Sequence, residues 1–141
     1  MSETRKNLNV AAAILIENGK VLACERGYGS LKGFWEFPGG KIEKGETPFE
    51  AVVREIQEEL RITVIPEKLW FHLISDQPAF HLEMDCILCH FKNPDEKIVL
   101  EEHEAMRWLS ADELESVNWL PADRELLEPL RKLILSKNDE D

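Results

Sequence analysis

The sequence is poor in the residues that staple or anchor a chain. It holds three cysteines, Cys24, Cys86 and Cys89, too few for a disulfide framework. Free thiols in a reducing cytoplasm are therefore expected. No apolar run approaches the ~20 residues needed to cross a bilayer, and the longest, such as Val10 to Ile16, fall far short. Met1 to Asn7 is polar and has no apolar signal core, so export is not expected. Positive charge is also scarce, with 17 Lys and Arg against 28 Asp and Glu, a formal net charge of −11. Nucleic acid and anionic lipid are both held by cations meeting phosphate, so this balance argues against either as a partner. A small phosphate-bearing ligand stays open, because carboxylates hold divalent cations and the cations hold phosphates.

Cys86-Ile-Leu-Cys89-His90 has the spacing of a haem attachment site, and of half a zinc site. The surrounding stretch is apolar and β-prone, and a strand sends positions three apart to opposite faces. No second ligand pair stands near, so buried core thiols are expected.

What the chain does have is a foldable balance, 43% hydrophobic and 32% charged over 141 residues. One domain over 1–141 is expected, with flexibility at the polar N-terminus 1–7 and the acidic tail 138–141. Asn9 to Ile16 and Val21 to Glu25 read as a hairpin around Asn18-Gly19. Gly27 to Gly33 reads as a loop, and Phe34 to Phe37 as a short extended piece. Further strands are expected at Ile62 to Ile65, Trp70 to Ser75, His81 to Phe91 and Ala105 to Leu109. Ser110 opens a short helix. Arg124 to Leu135 is helical in pattern, but Pro129 inside it demands a kink or a late start.

The clearest helix runs from Thr47 to Leu60. Thr47 suits the N-cap, Pro48 the first helical position, and Glu50 completes a capping box. Glu55, Glu58 and Glu59 share one face of it. Three such carboxylates repel one another unless a cation lies between them, and Mg²⁺ or Mn²⁺ suits oxygen ligands. A solvated acidic face softened by Arg54 is the plain alternative. Before the helix, Pro38-Gly39-Gly40-Lys41 lets backbone approach a ligand closely.

From Gly40, five residues lead to Glu46 and seven more to Arg54-Glu55-Ile56-Gln57-Glu58-Glu59. This resembles the Nudix hydrolase box, Gly, five residues, Glu, seven residues, Arg-Glu-apolar-any-Glu-Glu-any-Gly-apolar. Every fixed position from Gly40 to Ile62 matches except one, where the family's Gly is Arg61 here. The order of elements is similar to a Nudix domain over nearly the whole chain.

The resemblance implies an α/β fold, an α/β/α sandwich with a mixed β-sheet, and cleavage of a pyrophosphate bond. It implies Mg²⁺ held by Glu55, Glu58 and Glu59 with the Gly39 carbonyl, and Arg54 orienting Glu55 or Glu46. A further acid is implied six residues before Trp108, at Glu102, as ligand or base. Trp35 to Glu43 and Leu120-Pro121-Ala122-Asp123 resemble the MutT branch, which acts on nucleoside triphosphates. On that likeness Asp123 reads the base edge of an oxidised guanine or a cytosine nucleotide, and Arg26 contacts the nucleotide. Asp123 is alternatively an N-cap for a helix from Arg124. Phe37, Phe80 and Trp119 are candidate pocket walls, and no histidine is assigned a role. Other diphosphate substrates, or a silent ligand-sensing domain, are the competing readings. The chain is expected to act as a monomer or homodimer.

Overall fold

The computed structural model describes residues 6–138. Strand β1 (Lys6–Glu17) turns back into β2 (Lys20–Arg26) through Asn18-Gly19, both at positive φ, as a two-residue hairpin loop requires. Two short strands, β3 (Trp35–Glu36) and β4 (Gly39–Lys41), precede helix α1 (Pro48–Leu60). Then come β5 (Val64–Asp76), β6 (Phe80–Phe91) and β7 (His103–Leu109). A 3-10 turn (Ala111–Ser116) leads to α2 (Pro121–Arg124) and α3 (Leu127–Asn138). The sheet is mixed, in the order β3-β2-β1-β6-β5, with β4 also paired to β1 and β7 to β2. β1 and β6 run parallel at its centre.

Alternation along β1 builds two cores. Ala11, Ala13 and Leu15 pack beneath Ala51, Val52, Ile56 and Leu60 of α1. Ala12 and Ile14 face the opposite layer, where Leu114, Trp119, Leu126 and Leu130 close the sandwich. The chain is thus the expected α/β/α sandwich. Cys86 lies in one core and Cys89 in the other, buried and free like Cys24, as alternation predicts. No helix among the described residues is long and apolar enough to cross a membrane.

Three boundaries differ from the sequence reading. Lys6 and Asn7, expected within the N-terminal tail, open β1 and pair with Phe80 and His81; residues 1–5 and 139–141 lie outside the described residues. The expected strands at Ile62 to Ile65 and Trp70 to Ser75 are one strand, β5. Register shifts between Pro66 and Lys68 and between Leu69 and Phe71 break its alternation, so its pattern reads as two pieces. Helix α3 starts at Leu127 rather than Arg124. Pro129 then falls in its first turn, where the missing N–H has no partner to lose.

At the start of α1, Thr47 Oγ1 accepts the Glu50 N–H at 3.1 Å and Glu50 Oε1 accepts the Thr47 N–H at 2.9 Å. At its end Arg61 takes the left-handed conformation, φ 60° and ψ 30°, and donates its N–H to Gln57 O at 3.1 Å. The helix thus ends as a glycine would end it, with a side chain in the way. That strain costs about 1 kcal/mol, while the exposed Arg61–Glu101 pair at 2.9 Å returns less. Arg61→Gly is therefore expected to raise the melting temperature by ~3 °C. A thermal melt with an unchanged or lower midpoint would show that the ion pair outweighs the strain.

Candidate active site

Gly39 is a steric necessity, and Gly40 makes room for a carboxylate. A Cβ on Gly39 would run into the Ala11 carbonyl oxygen, and one on Gly40 would strike the Glu55 carboxylate. Bare backbone lets β4 lie against β1 and lets Glu55 rest on the strand. Glu55 and Glu59 stand one turn apart on α1. Glu59 is only 5% exposed. Burial and the neighbouring carboxylates of Glu55, Glu102 and Glu36 push its carboxyl well above the usual carboxylate range. Such surroundings favour the neutral carboxyl as long as no positive charge faces it.

Glu59 Oε1 is buried with no hydrogen-bond partner. That orphaned acceptor beside a second carboxylate is the donor chemistry a hard divalent cation takes. Glu58 stands apart, its side chain 57% exposed and 3.4 Å from Arg54. Among the described residues, accordingly, no three acidic, His or Cys groups are already converged on a metal position. Glu55 and Glu59 are brought together, and Glu58 is not.

Arg54 is the cation of the site. Its Nε and Nη2 grip both oxygens of Glu46, at 2.6 and 3.0 Å, and Nη1 reaches Glu55 Oε2 at 3.0 Å. Nη2 also donates to the Lys41 carbonyl at 2.9 Å, tying α1 to β4. The expectation that it orients Glu55 or Glu46 understates it, since it holds both. These bonds hold Glu46 below the usual carboxylate range and Arg54 above the usual guanidinium range. Glu102 lies in the exposed loop before β7. That loop is tied to α1 by Val99 N–H to Leu60 O at 2.9 Å and Glu101 N–H to Glu59 O at 3.1 Å.

A cavity of about 580 Å³ opens on the other layer of the sheet and reaches Gly39 and Gly40. Val10, Phe80, Leu82 and Met84 give it apolar walls, and Arg26, Glu36 and Asp123 its polar groups. Phe37 lines it and stacks on Trp119, ring centroids 4.6 Å apart. Trp119 itself is buried behind Phe37 and forms no part of the wall. The floor is set by a short ladder: Trp35 N–H to Asn118 O and Leu120 N–H to Trp35 O, both 2.9 Å. Phe37 N–H then donates to Asp123 Oδ2 at 2.9 Å. Asp123 lies inside α2 with Leu120 at the N-cap, so it does not cap a helix.

Sequence reasoning missed two residues. Glu36 takes Arg26 Nη2 on one oxygen at 2.6 Å and His103 Nε2 on the other at 3.0 Å. Its only signal is a carboxylate between Trp35 and Phe37 in a short extended piece. His103 carried no signal, because its partner is 67 residues away.

Burial, with the charge of Glu36, pushes Asp123 up to about 7 against the bond from Phe37. An unfolded Asp titrates near about 4. Between these values the folded state keeps a proton the unfolded state has lost, so stability falls as pH rises from about 4 to about 7. Asp123→Asn keeps an oxygen for the Phe37 N–H and removes this titration. Denaturant melts should show the variant gaining on the native protein across that window by up to roughly 4 kcal/mol. A constant difference would mean Asp123 is ionised throughout.

The model of the NUDIX domain matches residues 6–130. The chain is 34% identical over 135 residues to the CTP pyrophosphohydrolase of Escherichia coli K12, covering 91% of this chain and 94% of that one. It is 32% identical over 130 residues to the 8-oxo-dGTP diphosphatase of the same organism, covering 91% and 99%. The solution structure of the E. coli ORF135 protein matches with a TM-score of 0.76 at 31% identity, over 92% of this chain and 91% of that one. Sequence, element order and the Gly40–Glu55 contact agree, and the chain belongs to the Nudix hydrolase family.

Proposed function

We propose that the chain is a single-domain, Mg²⁺-dependent pyrophosphohydrolase of nucleoside triphosphates, with Mn²⁺ as a substitute. Nudix hydrolases act on nucleotides and use a divalent metal. The finer reading has this one working in the cytoplasm, clearing 8-oxo-dGTP or a cytosine nucleotide from the pool. Three buried free thiols suit a reducing compartment. Relatives named for CTP and for 8-oxo-dGTP, aligned over nearly their full length, support the substrate class.

The observation that carries the reading is continuity. The base-sized cavity with Asp123 at its floor ends at Gly39 and Gly40, and the Glu55 carboxylate rests on that same backbone. A nucleotide whose base fills the cavity has its phosphates delivered to the carboxylate helix. One Asp123 oxygen is engaged by Phe37, and the other is left for the base edge. Arg26 flanks the base, and Phe37 and Phe80 face it.

Glu55, Glu58 and Glu59, with the Gly39 carbonyl and Glu102, would hold the metal. Bound there, the metal neutralises phosphate oxygens and acidifies a water. Arg54 keeps Glu55 aimed, and a carboxylate of this set accepts the proton of the attacking water.

Glu59→Gln should lower turnover at least ~100-fold in a folded protein, since an amide replaces the buried acceptor without its charge. Near-native steady-state turnover would remove Glu59 from the site. The products should be nucleoside monophosphate and pyrophosphate, with ¹⁸O from labelled water in the pyrophosphate, as expected for attack at the β position. Chromatography showing nucleoside diphosphate and orthophosphate would overturn the assignment.

A further inference from the structure

The loop bearing Glu102 is fixed on both sides of that residue. On one side, the Glu101 N–H bonds the Glu59 carbonyl at the end of α1. On the other, His103 bonds Glu36. A register shift between Glu25 and Arg26 in β2 places His103 directly across from Arg26. Glu36, on the neighbouring β3, spans the two, with Arg26 Nη2 at 2.6 Å and His103 Nε2 at 3.0 Å. The His103 side chain is 2% exposed and that of Glu36 12%. Gly27 completes the seat, since a Cβ there would stand 3.2 Å from the Glu102 carbonyl oxygen and 3.0 Å from Glu104 Cγ.

A carboxylate drawn from both sides and shielded from water is expensive to desolvate, and it serves better to fix geometry than to add stability. Arg26 and Glu36 line the cavity, whereas His103 does not. The line Arg26–Glu36–His103 therefore runs from the nucleotide pocket to the residue next to Glu102.

We propose that His103 is a positioning residue that, through Glu36, holds the Glu102 loop over the carboxylate helix in register with the Arg26 side of the nucleotide pocket. The proposal rests on Glu102 belonging to the reacting site. The chemistry required of His103 is one N–H aimed at Glu36 from the Nε2 position.

Glutamine can place an amide N–H near the Nε2 position, and asparagine cannot reach it. His103→Gln should therefore keep turnover within ~3-fold, whereas His103→Asn should lose ~10-fold or more, with the KM for the triphosphate little changed. Mn²⁺ affinity of the nucleotide-free protein, read by electron paramagnetic resonance, should weaken several-fold in His103→Asn and not in His103→Gln. Combining His103→Asn with Glu102→Gln should be no slower than Glu102→Gln alone, because one residue acts through the other. If His103→Asn melts below the assay temperature, His103→Leu, which keeps bulk and lacks the donor, gives the same comparison.

Native turnover in Glu102→Gln would overturn the Glu102 assignment and the proposal with it. An impaired Glu102→Gln beside an unimpaired His103→Asn would overturn the proposal alone. So would equal losses in His103→Gln and His103→Asn, or losses that multiply in the double variant.

Discussion

The site depends on one close approach, the backbone of Gly40 against the carboxylate of Glu55. It brings α1 down onto β4, and β4 onto β1, so that the acidic helix face stands at the edge of the sheet. Arg54 then spans the gap, bonding the Lys41 carbonyl on one side and Glu46 and Glu55 on the other. A side chain at position 40 would push the Glu55 carboxylate off the strand and disturb its pairing with Arg54. The capping box at Thr47 and the left-handed Arg61 set the length of the helix. The glycine sets where its carboxylate lies.

The charges follow an economy imposed by burial. One guanidinium serves Glu46 and Glu55 and brushes Glu58, so little positive charge is left for Glu59. That residue is left with a raised carboxyl and a buried oxygen that has no hydrogen-bond partner. In a chain with a net charge of −11 this is a local choice rather than a deficit forced by composition. Glu59 faces other carboxylates with no cation beside it, whereas Glu36 is held between Arg26 and His103.

What the sequence made legible was whatever is encoded locally. The Asn18-Gly19 hairpin, the capped helix, the apolar alternation and the Gly40-to-Ile62 spacing each lie within one or two elements, and all are found in the fold. Less legible were features made by two distant segments. The pairing of Glu36 with His103 needs β2, β3 and β7 to be side by side first. The role of Asp123 looked like a helix cap or a base reader, and only the ladder with Trp35 to Phe37 removes the cap. β5 misled because its bulges interrupt the two-residue period from which strands are read.

Those bulges also bear on how the protein lives in a crowded solution. β5 is the outer strand of the sheet and carries exposed Ile65, Leu69 and Ile74, the makings of a template for uncontrolled strand addition. Two breaks in register, a proline without an N–H and Lys68 near the middle deny an incoming chain any long straight run of donors and acceptors. The irregularity that hides the strand from a reader of the sequence also hides it from other strands.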